Sequence, residues 1–139
     1  MRYMIIVKAN KDTEAGVMPS EEIFATMAKF HEELANAGAL LDASGLQPTS
    51  KGWRIKYSGG KRTVTDGPFA EAKELIAGYT LIQVKSQEEA LEWSKRFPAP
   101  FGDAEGEIEV RRLFELEDFA PSPGVEHFRE IMSATNWKE

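Results

Sequence analysis

The sequence predicts an α+β fold, a ferredoxin-like domain that pairs with a second copy to form a dimeric α+β barrel. Apolar runs of strand character and two capped amphipathic stretches follow one another as β-α-β-β-β-β-α-β, with one hairpin inserted or extended. Helices crossing between strands of one sheet pack on the same side, the split β-α-β logic. The other side is then left bare, and two bare sheets meeting across a two-fold axis bury each other.

The elements follow in order. Tyr3 to Val7 is a continuous apolar run, as expected of a strand buried on both faces. Asn10 to Gly16 is polar and reads as loop. Pro19-Ser20 opens a helix with Glu21 and Glu22 at its positive end. Ile23, Met27, Phe30 and Leu34 form one helical stripe, with Phe24, Ala28, His31 and Ala35 beside it, and Gly38 supplies a left-handed stop.

Ala39 to Leu46 is a strand with partly polar faces, containing Asp42 and Ser44. Trp53, Ile55 and Tyr57 alternate with Arg54 and Lys56, and the turn Ser58-Gly59-Gly60-Lys61 folds Arg62 to Thr65 back as a hairpin. Phe69 to Ile76 fits either a short helix or an extended segment. Tyr79 to Val84 is a strand, and Ser86 with Glu89 stands at capping-box spacing before a helix that buries Ala90, Trp93 and Phe97. Pro98 to Glu105 is loop. Ile108, Val110, Arg112, Phe114 and Leu116 share one face of a last strand. The segment from Pro121 onward carries Val125, Phe128 and Met132 on a short helical stripe.

Composition narrows the function classes. The 139 residues, 42% hydrophobic and 29% charged, suit one globular domain. A net charge of −6 and a pI near 5.1 argue against nucleic acid and anionic membranes as partners. There is no cysteine, which removes thiolate chemistry and cysteine-ligated metal. The first apolar run is too short for a secretory or membrane segment, so a cytoplasmic location is expected. Two distant histidines without ligand spacing make a zinc site unexpected, and phosphate-loop and serine-elbow motifs are missing. Any enzyme here is expected to work without a cofactor, on a small organic ligand.

The stretch from Thr63 to Tyr79 concentrates the remaining signal. Asp66-Gly67 is a turn, Pro68 stiffens it, and Glu71, Lys73 and Glu74 follow closely. Together with Phe30-His31-Glu32-Glu33-Leu34, Gly45-Leu46-Gln47-Pro48 and Gly78-Tyr79, the run Asp66-Gly67-Pro68-Phe69 resembles the DGPF branch of the YCII-related proteins. Glu88-Glu89-Ala90, Glu92-Trp93 and Ile108-Glu109-Val110-Arg111 extend the resemblance over residues 1–116, leaving 117–139 as a C-terminal tail. It implies a ferredoxin-like dimer of bacterial type and an unproven enzymatic role built on a histidine and an aspartate, often beside alternative sigma factors.

The family histidine corresponds to His31. Where shorter relatives place their acidic residue before a proline, this chain reads Arg96-Phe97-Pro98, so Asp66 is the substitute partner. His31 is then a candidate general acid or base oriented by Asp66. The alternative is a boundary histidine satisfied by a backbone carbonyl. Asp42, Lys73, Tyr79 and Arg112 are candidate ligand contacts: Asp42 could share the His31 pocket, and Arg112 either snorkels or binds an anion. The plainer reading of Asp42 is an exposed strand position, and that of Lys73 a solvated charged face. Two functions therefore stand side by side, a cofactor-free acid–base enzyme or ligand binder, and a non-catalytic homodimer acting through partners in a sigma-factor or stress circuit.

Overall fold

The computed structural model describes residues 1–135; the last four residues of the tail, 136–139, lie outside the described part. In chain order the elements are β1 (Arg2–Lys8), α1 (Lys11–Glu14), α2 (Glu21–Asn36), β2 (Leu40–Gly45), β3 (Trp53–Ser58), β4 (Lys61–Asp66), β5 (Ile76–Gln83), α3 (Gln87–Lys95), β6 (Ile108–Arg112) and α4 (Pro123–Ala134). Short 3-10 turns occupy Thr49–Lys51, Ala72–Glu74 and Leu116–Asp118. The fold is α+β. Its main sheet runs β2-β5-β1-β6, antiparallel at every pairing, and β3-β4 form a separate two-stranded sheet. With that hairpin set aside as an insert, the order is compatible with a ferredoxin-like arrangement.

Register decides which side each residue faces, because directly opposed residues of antiparallel strands share a face. Tyr3 lies opposite Ile82 and Arg112, and Ile5 opposite Thr80 and Val110. This is the face that receives the helices. Tyr3, Ile5, Ile82 and Val84 pack with Phe30 and Leu34 of α2 and Ala90 of α3, with Trp93 and Phe97 against them. Ile5, Leu34 and Ile82 are fully enclosed, each contributing about 1.5–3 kcal/mol of apolar burial. The opposite face carries Met4, Ile6, Tyr79 and Leu81, all only half-buried.

Local rules hold the helices in place. Ser20 caps α2 by accepting from the Ile23 amide, and Ser86 caps α3 by accepting from Glu89. At the end of α2, Gly38 takes φ +74°, where a side chain would be strained.

Three segments differ from expectation. The polar run after β1 winds into the single-turn α1, because Asn10 and Thr13 cap each other's backbone amides reciprocally. The segment from Phe69 to Ile76 is neither a regular helix nor fully extended: a 3-10 turn at Ala72–Glu74 leads into β5. The last strand stops at Arg112. β1 begins at Arg2, so little partner remains beyond it, and the Arg2 guanidinium grips Glu115 at 2.8 Å. The chain turns away there, leaving Phe114 72% exposed and stacked obliquely on Phe119 instead of lying on the sheet.

Candidate functional site

The Asp66-Gly67-Pro68-Phe69 turn is seated on the segment around Thr49. Gly67 donates to the Gly52 carbonyl at 3.0 Å, and the Phe69 amide donates to Thr49 Oγ1 at 3.0 Å. Gly67 approaches so closely that a Cβ there would overlap the Thr49 carbonyl oxygen, so only glycine fits. The Gly67-Pro68 peptide is cis. Thr49 is held in turn by Glu14 of α1, whose carboxylate accepts from the Thr49 amide at 3.1 Å and its hydroxyl at 2.5 Å. A chain of bonds thus runs from α1 through Thr49 to the turn. Sequence inspection singled out neither Glu14 nor Thr49, since their only signal is a charged and a hydroxyl residue in polar loops 35 positions apart.

Asp66 closes β4 opposite Trp53, and its side chain is exposed. Among the described residues its carboxylate holds no hydrogen bond or ion pair.

His31 makes two bonds elsewhere. Its Nδ1 lies 2.7 Å from the Met27 carbonyl and its Nε2 2.8 Å from Thr80 Oγ1. A carbonyl only accepts, so Nδ1 carries a hydrogen, and in the neutral ring Nε2 accepts the Thr80 hydroxyl hydrogen. Thr80 is almost wholly buried. Phe97, the residue before Pro98, lies with its ring at a steep angle to His31, centroids 6.2 Å apart. The imidazole therefore clips α2 to the sheet, between aromatic rings, with both nitrogens engaged by groups other than Asp66.

Asp42 and Tyr79 sit on the far side of the sheet. Ala43 lies opposite Thr80, so its neighbour Asp42 points the other way, as does Tyr79. This face is not the one that carries His31, and Asp42 does not share a pocket with it. Instead the Tyr79 hydroxyl donates to Asp42 Oδ2 at 2.9 Å, while Asp42 Oδ1 accepts from the Ala43 amide at 2.8 Å. The hydrogen bond to Asp42, then its negative charge, then partial desolvation push the Tyr79 phenol above its ordinary pKa. The phenol therefore stays neutral, with its oxygen free to accept a further hydrogen.

Lys73 is exposed on the 3-10 turn, and among the described residues no carboxylate pairs with it. Glu71 just before it takes φ 64°, a left-handed conformation that side chains seldom adopt. Arg112 lies in the helix-side row with Ile108 and Val110, at the open end of β6, and is exposed. Arg111, on the other face, reaches Glu109 at 3.3 Å. Among the described residues no three histidine or carboxylate side chains cluster as metal ligands do, and no helix is long and apolar enough to cross a membrane.

Comparison with known proteins gives two findings. Residues 1–117 match the YCII-related domain. An uncharacterised protein of Rhizobium meliloti (strain 1021) is 32% identical over 93 residues, covering 67% of this chain and 74% of that relative.

Proposed function

We propose, from the premise that this chain belongs to the YCII-related family, that it is a homodimeric protein that binds a small organic molecule on the helix-free face of its sheet. In this reading two such faces meet as a dimeric α+β barrel, and the ligand lies in the hollow between them. The run Asp66-Gly67-Pro68-Phe69 supports the reading that the chain belongs to the DGPF branch of that family. The observation that carries the ligand assignment is the Tyr79–Asp42 pair, a neutral phenol and a carboxylate joined at 2.9 Å beside the apolar Met4, Ile6 and Leu81. A ligand bearing an amine or hydroxyl donor suits that pair, because Asp42 and the phenol oxygen both offer lone pairs. Arg112 belongs to the other face of the sheet, and in this reading Lys73 and Arg112 serve as secondary contacts.

Acid–base work by His31 with Asp66 is a separate, catalytic version of the small-molecule reading, since His31 meets Thr80 on the helix side of the sheet and the Tyr79–Asp42 pair lies on the other side. It requires the imidazole to release Thr80 and meet Asp66 or substrate, so His31→Gln separates catalysis from binding. The direct test is thermal shift and calorimetry with a panel of small amines, alcohols and carboxylates. Donor-bearing compounds are expected to bind, and Asp42→Asn with Tyr79→Phe to lower their affinity by about 1–3 kcal/mol. Unchanged affinity in the double variant would remove the assignment. The second reading, a partner-binding regulatory protein, draws on the exposed apolar residues of the hairpin and of α4.

A further inference from the structure

The β3-β4 hairpin has every residue of both strands exposed. An isolated two-stranded hairpin is marginal in water, and contiguous exposed apolar surface marks an interaction site. One of its faces carries Trp53 (63% exposed), Ile55, Tyr57 (67%) and Val64, which register places together. Residues 53–66 also hold four cations, Arg54, Lys56, Lys61 and Arg62, against the single carboxylate of Asp66, although the whole chain is net −6. The hairpin is thus a basic, aromatic arm about 20 Å long on an acidic body.

A complementary surface exists in the same chain. Residues 114–135 expose Phe114, Phe119, Phe128 and Ile131. Glu117, Asp118, Glu126 and Glu130 accompany them, with Arg129 as the one Lys or Arg of this stretch. Arg129 ties α4 back to Glu117 at 3.4 Å, so helix and preceding turn form one acidic, apolar unit.

Topology sets these two surfaces apart within one copy. β2 and β6 are the two edges of the sheet, three strand spacings or about 14 Å apart. β2 ends at Gly45, level with Val7 and Ile108, whereas β6 ends at Arg112, level with Tyr3 and Ile82. Arm and C-terminal segment therefore leave from diagonally opposite corners.

We infer that the β3-β4 arm is an intersubunit clasp, docking its aromatic face, which also carries Arg62 and Asp66, on the acidic C-terminal segment, residues 114–135, of a second copy. Arg54, Lys56 and Lys61 on its other face give the arm its net positive charge. A two-fold axis makes the exchange reciprocal, arm to segment twice over, and covers both exposed aromatic patches. The opposite charges set its orientation, so rising salt weakens it. This contact is separate from the sheet-to-sheet contact proposed above.

The absence of cysteine makes the test clean. Tyr57→Cys and Phe128→Cys chains are mixed under reducing conditions until subunits exchange, then oxidised. A mixed disulfide dimer is expected in several-fold excess over a control mixing Tyr57→Cys with Leu91→Cys, which is equally exposed on α3. In parallel, Lys56→Glu with Arg62→Glu, which turns the arm from net positive to net negative and changes Arg62 on the docking face itself, is expected to abolish the excess, and Glu126→Lys with Glu130→Lys in the mixing partner to restore it. Cross-linking no greater than the Leu91→Cys control overturns the inference. So does a chain bearing both cysteines that closes on itself as a monomer. Because cross-linking reads the clasp alone, its failure leaves the sheet-face dimer, read by solution mass, standing.

Discussion

Two side-chain hydroxyls, those of Tyr79 and Thr80, mark the two faces of the sheet. They are neighbours on β5 and face opposite ways, Thr80 toward His31 and Tyr79 toward Asp42. Thr80→Val removes a buried hydroxyl and leaves His31 Nε2 without its donor. A loss of about 1–3 kcal/mol is expected, read as a lower denaturant midpoint with an unchanged slope. Tyr79→Phe acts differently. The folded Tyr79 holds its proton more tightly than the unfolded chain does, since Asp42 raises its pKa. The stability this contributes is complete below about pH 10, the ordinary tyrosine value, and is lost as pH climbs through the raised value. Unfolding midpoints measured across the alkaline range are therefore expected to fall less steeply in Tyr79→Phe than in the parent protein. Parallel curves would show that the phenol–carboxylate bond is not formed in solution.

Among the elements, the loop system rooted on α1 is the one whose shape depends most on a single atom. The turn after β4 rests on the Thr49 carbonyl at Gly67, and the added methyl of Gly67→Ala meets backbone, which cannot swing aside. A destabilisation of about 2–4 kcal/mol is expected, with faster amide exchange at Phe69, whose bond to Thr49 must move. The same loss at Gly59, where a Cβ meets nothing within contact distance, would point to glycine's backbone freedom instead of the close approach. The hairpin between these anchors has no such seat. Arg54 lies over the Phe69 ring at 3.8 Å, tying the base of the arm to the turn while both strands stay open to solvent.

On the scale of the whole molecule, the sheet is asymmetric: one face is sealed by α2 and α3, the other stays half-open. If two copies close the open face, Leu81→Glu puts a carboxylate into the seam without disturbing the helix side. Its light-scattering mass is expected to drop from two chains to one, with the helical circular dichroism retained. A dimer that persists in Leu81→Glu would place the contact elsewhere, and the clasp between arm and C-terminal segment is the contact then left to explain it.

The helices, hairpin and inner strands were legible in the sequence because each rests on short-range physics. The stripe ending at Phe30 and Leu34, the caps Ser20 and Ser86, the left-handed Gly38 and the Gly59-Gly60 turn all act within a few residues. The α1 turn was missed because its Asn10–Thr13 capping box sits in a run with no apolar stripe, and the early end of β6 because Arg2 and Glu115 meet only when the chain has folded. Which partner His31 takes was settled in the same way. Helix position placed it at the core border, but only the crossing of α2 over β5 presented Thr80 to Nε2 and Phe97 to the ring edge. The pairing of Asp42 with Tyr79 likewise needed strand register, which turns on the whole sheet. Sequence by itself thus determined the elements and their apolar faces, since periodicity and capping are local. Tertiary structure alone decided which polar groups meet, since a hydrogen bond depends on ångström-scale separations between residues far apart in the chain.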